Sequence, residues 1–130
     1  MALNDTLANL MSKILNSGNA SKKTCTVSPV SKQIIKVLEI MKDNGYIGDF
    51  KITKNNKGDE VEINLLDKIN KCGAIKPRFA CKKEQIDGYE TRYLPAKNFG
   101  IIIISTSQGM MIHTEAHEKE LGGRLIAYVY

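Results

Sequence analysis

The sequence contains no tryptophan, and aromatic residues of all kinds make up only 6% of it. Nor do they cluster along the chain, which argues against a base-stacking platform for single-stranded nucleic acid. Cysteine is equally sparse. Cys25, Cys72 and Cys81 are odd in number and widely spaced, and without a C-x-x-C pair they make neither a zinc site nor a redox couple. No apolar run approaches the roughly 20 residues that a membrane span needs. Residues 1–15 follow an amphipathic pattern broken by Asn4, Asp5, Asn9 and Lys13, unlike the apolar core of a secretory signal. A glycine-rich phosphate loop is missing as well, since Gly122-Gly123 is only a pair. These absences predict a soluble, reduced, intracellular protein without a cofactor.

What is present is an ordinary globular composition, 42% hydrophobic and 25% charged. A chain of 130 residues suits one domain or two small lobes, and about two-thirds of its surface can be buried on folding. The net charge is +5, which favours phosphate-rich partners. Most of the excess falls between positions 67 and 100, where eight bases face four acids.

Periodicity divides the chain near residues 66–68. In the first half, Asn4 or Asp5 caps a helix whose apolar residues Leu7, Met11, Ile14 and Leu15 recur at helical spacing, with Gly18 at its end. TCTVS (24–28) reads as a short strand. Pro29 and Ser31 open a second helix with the stripe Ile34, Ile35, Leu38 and Met41, stopped by Asn44-Gly45. Two strands follow: Tyr46, Phe50 and Ile52 on one face of the first, Val61, Ile63 and Leu65 on the second, joined by a turn at 55–59. After Asp67 helical periodicity vanishes and short β-like pieces are punctuated by Gly73, Pro77, Gly88, Pro95 and Gly100. Strands at 100–105 and 110–112, a helical turn or two capped by Thr114, and a final strand RLIAYVY complete the chain. The expected fold is α+β in two packed lobes: α-β-α-β-β over 1–66, and a mostly β lobe with a short helix over 67–130.

One stretch poses a chemical question. In FGIIIISTSQGMMIHTEA (99–116) the most apolar run of the chain ends in the hydroxyl triplet Ser105-Thr106-Ser107, followed by Gly109. A nucleophilic serine needs a base oriented by a third group. Ser105 or Ser107 with His113 or His117 is therefore the candidate hydrolase site, though no G-x-S-x-G elbow frames it. His113 and His117 stand four apart, but the order H-x-E-x-H misplaces the glutamate and no third ligand is in view, so two solvated histidines on a surface helix are expected instead of a metal centre. As a recognition element the triplet is better suited. Short hydroxyls donate and accept, Gly109 permits close approach, and the shallow minor groove of an RNA helix displays 2′-hydroxyls. The basic residues Lys68, Lys71, Lys76, Arg78, Lys82, Lys83, Arg92 and Lys97, interleaved with Phe79, Tyr89 and Tyr93, supply phosphate contacts.

The same residues carry a resemblance that spans essentially the whole chain. Asp5, Leu7, Ala8, Ile14 and Asn16, then Ser31-Lys32 and Asn44-Gly45-Tyr46-Ile47, match the N-terminal pattern of the universal small-subunit ribosomal protein S8 family. Ile104-Ser105-Thr106-Ser107, Gly109, Met111 and Gly122-Gly123 match its C-terminal pattern. INKCGAIKPRF (69–79), RYLPA (92–96) and LIAYVY resemble the archaeal and eukaryotic branch. The resemblance implies a structural, non-catalytic protein of the cytoplasmic small ribosomal subunit, monomeric when free, that binds an irregular helix in the central domain of small-subunit ribosomal RNA early in assembly and touches neighbouring ribosomal proteins. It implies minor-groove insertion of Ser105, Thr106, Ser107 and Gly109, with further contacts from Thr6, Ser31 and Lys32. Two positions depart from the family. Thr6 stands where proline is common, and Arg124 stands where bacterial members usually carry glutamate. The contact of that glutamate does not transfer, and Arg124, like Lys71 and Arg78, becomes a candidate phosphate ligand.

Overall fold

The structure is a computed structural model describing residues 6–20, 23–27, 32–55, 58–66, 68–75, 80–95 and 99–130, by backbone alone at Thr6, Asn19, Asn55 and Gly58. The chain has a mixed α+β fold and divides into two compact units, Met1–Asn70 and Lys71–Tyr130.

The first unit runs α1 (Thr6–Asn19), β1 (Thr24–Val27), α2 (Lys32–Asp43), β2 (Ile47–Asn55) and β3 (Gly58–Leu65), the order that periodicity predicts. Its strands form an antiparallel sheet in the order β1-β3-β2. Leu7, Leu10, Met11 and Ile14 on α1 are buried, as are Ile34, Val37, Leu38 and Met41 on α2 and Cys25, Val27, Val61 and Ile63 on the sheet. Val37 therefore takes the core position that the sequence reading gave to Ile35, which is only half-buried. At the end of α2, Gly45 takes φ +79, and the N–H groups of Tyr46 and Gly45 donate to Met41 O (2.9 Å) and Lys42 O (3.0 Å). This left-handed closure satisfies carbonyls that the last helical turn leaves open.

Strand β2 corrects the expected alternation. Ile47 pairs with Leu65 and Phe50 with Ile63, so one extra residue is accommodated between them. That shift turns Ile47 onto the same face as Phe50 and Ile52. Ile47 is 1% exposed, whereas Ile52, farther along this edge strand, is 39% exposed. Pairing also continues to Asn55 opposite Gly58, beyond the start of the expected turn at 55–59.

The second unit contains β4 (Cys72–Ala74), β5 (Ala80–Cys81), a 3-10 turn (Lys83–Gln85), α3 (Ile86–Tyr93), β6 (Ile101–Thr106), β7 (Gly109–Ile112), α4 (His113–Glu118) and β8 (Gly123–Val129). Its antiparallel sheet has the order β4-β8-β6-β7, and β5 also pairs with β8. All four isoleucines from Ile101 to Ile104 are buried. Ile102 and Ile104 belong to a core with Ile75, Ile86, Leu94, Met111 and Leu125, lined at its margin by Tyr89, Tyr93, Tyr128 and Tyr130.

Two sequence expectations fail here. Helix α3 occupies a region read as β-like pieces, because the residue at the centre of its inner face is the buried Glu90 and the apolar stripe is interrupted. Thr114 does not cap α4. The helix begins one residue earlier, Ile112 is the capping position, and no side-chain hydrogen bond closes it.

Burial also decides the chemistry of Cys72, whose thiol is desolvated and pushed up to about 12. Because the thiolate is the nucleophile, native Cys72 is expected to resist alkylation at pH 8 and to react once urea unfolds the chain, as read by mass spectrometry. The raised value favours the fold fully below the ordinary thiol range near 9 and gives that contribution up as pH climbs toward 12.

Candidate nucleic-acid interface

Strands β6 and β7 form a hairpin that ends in the hydroxyl triplet. Thr106 pairs with Gly109, leaving Ser107 and Gln108 at the tip. The Thr106 hydroxyl donates to Gly109 O (2.8 Å) and accepts from the Gln108 N–H (3.1 Å), so it shapes the tip. Neither Ser107 nor Gln108 has a positive φ, and Gly109 takes φ +109, a conformation that suits a residue without a Cβ. A Cβ built at Gly109 meets nothing within 4 Å, so its backbone is open to an approaching surface. The candidate recognition residues sit on a turn. Thr106 fixes the tip, while Ser107 is exposed and Ser105 half-buried.

Register sets what stands beside the hairpin. Ser105 lies opposite Arg124 on β8 and opposite Met110 on β7. Arg124 in turn lies opposite Ala80 on β5. Directly opposed residues project from the same face of a sheet, so the exposed Arg124 guanidinium and the Ser105 hydroxyl share a side. One residue along, Cys81, Gly123, Thr106 and Gly109 form the next row, and exposed Lys82 follows Cys81. Neither Arg124 nor Lys82 has an ion-pair partner among the described residues, whereas the Lys83 ammonium lies 3.9 Å from Glu120.

The glycine pair makes this row possible. A Cβ on Gly123 would lie 2.1 Å from the carbonyl oxygen of Ser105, and one on Gly122 would lie 2.6 Å from that of Cys81. Two adjacent residues without side chains thus let the backbones of β5 and β6 close onto β8. A family model described as Ribosomal protein S8 matches residues 5–130.

The chain belongs to the ribosomal protein S8 family. This is a family of structural proteins of the small ribosomal subunit. Of the residues expected to carry RNA contacts, Ser105, Thr106, Ser107, Gly109 and Arg124 come together at one end of the second unit's sheet. Lys71 does not join them. Its backbone pairs with Tyr130, N–H to O at 2.9 Å in both directions, which puts it at the opposite end of β8 from Arg124. Five residues lie between Arg124 and Tyr130, six steps along the strand or about 20 Å. Lys32 and Thr6 begin α2 and α1 in the first unit, Lys32 with an exposed side chain. Ser31 and Arg78 lie outside the described residues. Lys82 was visible in the sequence only as one lysine of a basic block; its place beside the hairpin follows from β5 pairing with β8, which two residues of strand do not announce.

The histidines also need correction. His117 is exposed as expected, but His113 is only 2% exposed and is no solvated surface residue. The backbone N–H of Ile102 donates to His113 Nδ1 (3.1 Å), which assigns the ring proton to Nε2, 2.8 Å from Glu90 Oε2. Both ring nitrogens are engaged, so His113 has no lone pair left to serve Ser105 or Ser107 as a base. Among the described residues no group of three His, Cys, Asp or Glu side chains could hold a metal ion. Among the same residues, no helix is long and apolar enough to cross a membrane.

Five of the eight aromatic residues nevertheless meet in the second unit. Those five are scattered along the sequence and packed together in space. Tyr89 stacks on Tyr93 (centroids 6.5 Å), Tyr93 on Tyr128 (5.7 Å) and Tyr128 on Tyr130 (6.3 Å), and Phe99 tilts against Tyr130 (6.4 Å).

Proposed function

We propose that this ribosomal protein binds an irregular helix of small-subunit ribosomal RNA through the β6–β7 hairpin and stabilises that helix during assembly. The observation that carries the reading is the hairpin itself. A tip braced by the Thr106 hydroxyl and rooted in four buried isoleucines displays Ser107, Ser105 and the bare backbone of Gly109 beside Arg124. A preformed tip lowers the ordering cost of binding. Its hydroxyls meet 2′-hydroxyls and base edges in a shallow groove, while Arg124 and Lys82 hold neighbouring phosphates. On this reading the partners are ribosomal RNA and adjacent small-subunit proteins, the free protein is a monomer, and its place is the cytoplasmic ribosome.

Affinity for a ribosomal RNA helix, measured by calorimetry over a range of salt, tests the division of labour. Ser107→Ala and Thr106→Val are each expected to lose about 1–3 kcal/mol of binding with the salt slope unchanged. They should differ in mechanism: only Thr106→Val should speed amide exchange at Gln108, since it removes the acceptor of that N–H. Arg124→Ala should reduce the salt slope by about one. Lys71→Ala, at the far end of the sheet, should leave that slope near the wild-type value. Unaltered affinity in both hydroxyl variants would refute the reading.

A further inference from the structure

Strands β6 and β7 pair rung by rung from Thr106 with Gly109 down to Ile103 with Ile112. One step farther, Ile102 would face residue 113, where the chain leaves the strand and enters α4. Ile112 is still extended, at φ −80 and ψ 159, so the departure falls at His113 itself. In a continued antiparallel ladder, the carbonyl of residue 113 would accept the Ile102 N–H. Here the imidazole of the same residue accepts it instead, at Nδ1 and 3.1 Å. A side chain thus makes the last rung. It closes the root of the hairpin as the Thr106 hydroxyl closes the tip.

That rung stands where the other side of the hairpin's inner strand is least regular. Ile103 faces Ala127 on β8 but Ile104 faces Leu125, so Ile126 is left without a partner on β6. The Ile126 carbonyl accepts from the Ile75 N–H (3.0 Å) instead. Such a bulge bends the strand that carries it and disrupts the ladder locally. At the root of the hairpin, β8 therefore grips β6 less evenly, and the β7 side has to fix its direction. Glu90 completes the arrangement from α3. Its carboxylate keeps the ring proton on Nε2, at 2.8 Å, and so leaves Nδ1 able to accept. His113 is 2% exposed and Glu90 6% exposed, too deep for either to touch RNA.

We infer that His113 is a positioning residue for RNA recognition: its imidazole, oriented by Glu90, sets the direction in which the hairpin presents Ser105, Ser107 and Gly109. The inference rests on the RNA-binding reading of the hairpin and adds to it a control point away from the contact surface. Since neither buried side chain meets the RNA, their influence on affinity passes through the hairpin.

Calorimetry with the ribosomal RNA helix, at a temperature where circular dichroism shows each variant folded, separates positioning from stability. His113→Phe should weaken binding about tenfold, the order of what ordering one or two loosened side chains costs. His113→Asn should restore most of the affinity, because its amide oxygen can accept from Ile102. Ser107→Ala then supplies the decisive comparison. Groups that act through one another do not add, so its loss of affinity should be at least about threefold smaller with His113→Phe than in the wild type. A side chain that merely stabilises the fold would leave that loss equal in both. In nuclear magnetic resonance, a coupling across the hydrogen bond should join the Ile102 amide nitrogen to His113 Nδ1 in the wild type. Should His113→Phe not fold, Glu90→Leu takes its place beside Ser107→Ala. Full additivity, wild-type affinity in the folded variant, no recovery with His113→Asn, or no coupling in the wild type overturns the proposal. Failure of the RNA-binding reading looks different: Ser107→Ala and Thr106→Val would then leave affinity unaltered in the wild-type background itself.

Discussion

Gly123→Ala is expected to cost about 3 kcal/mol of fold stability, near the top of what added volume does in a packed interior. The methyl group would sit 2.1 Å from the carbonyl oxygen of Ser105, 2.8 Å from its carbon and 3.1 Å from Ile104 Cγ2. Two of those three atoms are backbone, so no rotamer change relieves the clash. Gly123 is the ladder partner of both Thr106 and Cys81. Making room therefore means parting β8 from β6, from β5, or from both, at the end of the sheet that holds the hairpin. Affinity for the RNA helix should fall with stability for that reason. Gly109→Ala is the matched comparison. There the space is open, but φ is +109, so the cost is conformational and about 1 kcal/mol or slightly more. Urea unfolding followed by circular dichroism would rank the two. A Gly123→Ala protein as stable as the parent would mean that the three strands are not held as close as 2.1 Å implies.

Those glycines show where the sequence is legible and where it is not. Gly45 could be read locally, because a left-handed residue after an amphipathic stripe has one common use. Gly123 could not, because its φ is unexceptional and its requirement arises from strands far apart in sequence. The same distinction separates success from failure elsewhere. Helices α1 and α2 carry an uninterrupted apolar stripe and were plain from periodicity. Helix α3 is short, contains Gly88 and buries a carboxylate, so its pattern resembles a loop. Ser105, Thr106, Ser107 and Gly109 are consecutive or nearly so, and the end of an isoleucine strand places them together. Arg124 and Lys82 join them only through β8 pairing with β6 and β5, and Lys71 is sent to the opposite end by the same strand. The packing of five aromatics on one another is not legible along the chain for one reason. They come from α3, β8, the C-terminus and position 99, and no window along the chain contains them all.

His113→Phe is expected to destabilise the protein by about 2–4 kcal/mol, because it removes two buried hydrogen bonds at once, one of them to a carboxylate. Phenylalanine fills a similar space, so the loss is electrostatic rather than a matter of volume. It strips the Ile102 N–H of its acceptor and leaves the Glu90 carboxylate, 6% exposed, without the ring N–H at 2.8 Å. His113→Asn should be milder, because an amide oxygen can stand where Nδ1 stood and keep the Ile102 bond. Glu90→Gln should cost about 1 kcal/mol, since an amide oxygen still accepts from Nε2. The bond to Ile102 also ties the first turn of α4 to the root of β6, closing a span from 102 to 113 that contains the whole hairpin. His113→Phe should accordingly speed amide exchange at Ile102 and along β7, and weaken the RNA helix as a loosened tip would. The double variant His113→Phe with Glu90→Leu separates the pair from its surroundings. Its loss should fall short of the two single losses combined by about 1–3 kcal/mol, the coupling of neighbours that share a hydrogen bond. Strict additivity would show that each group is held by other contacts and that the 2.8 Å separation carries no mutual energy.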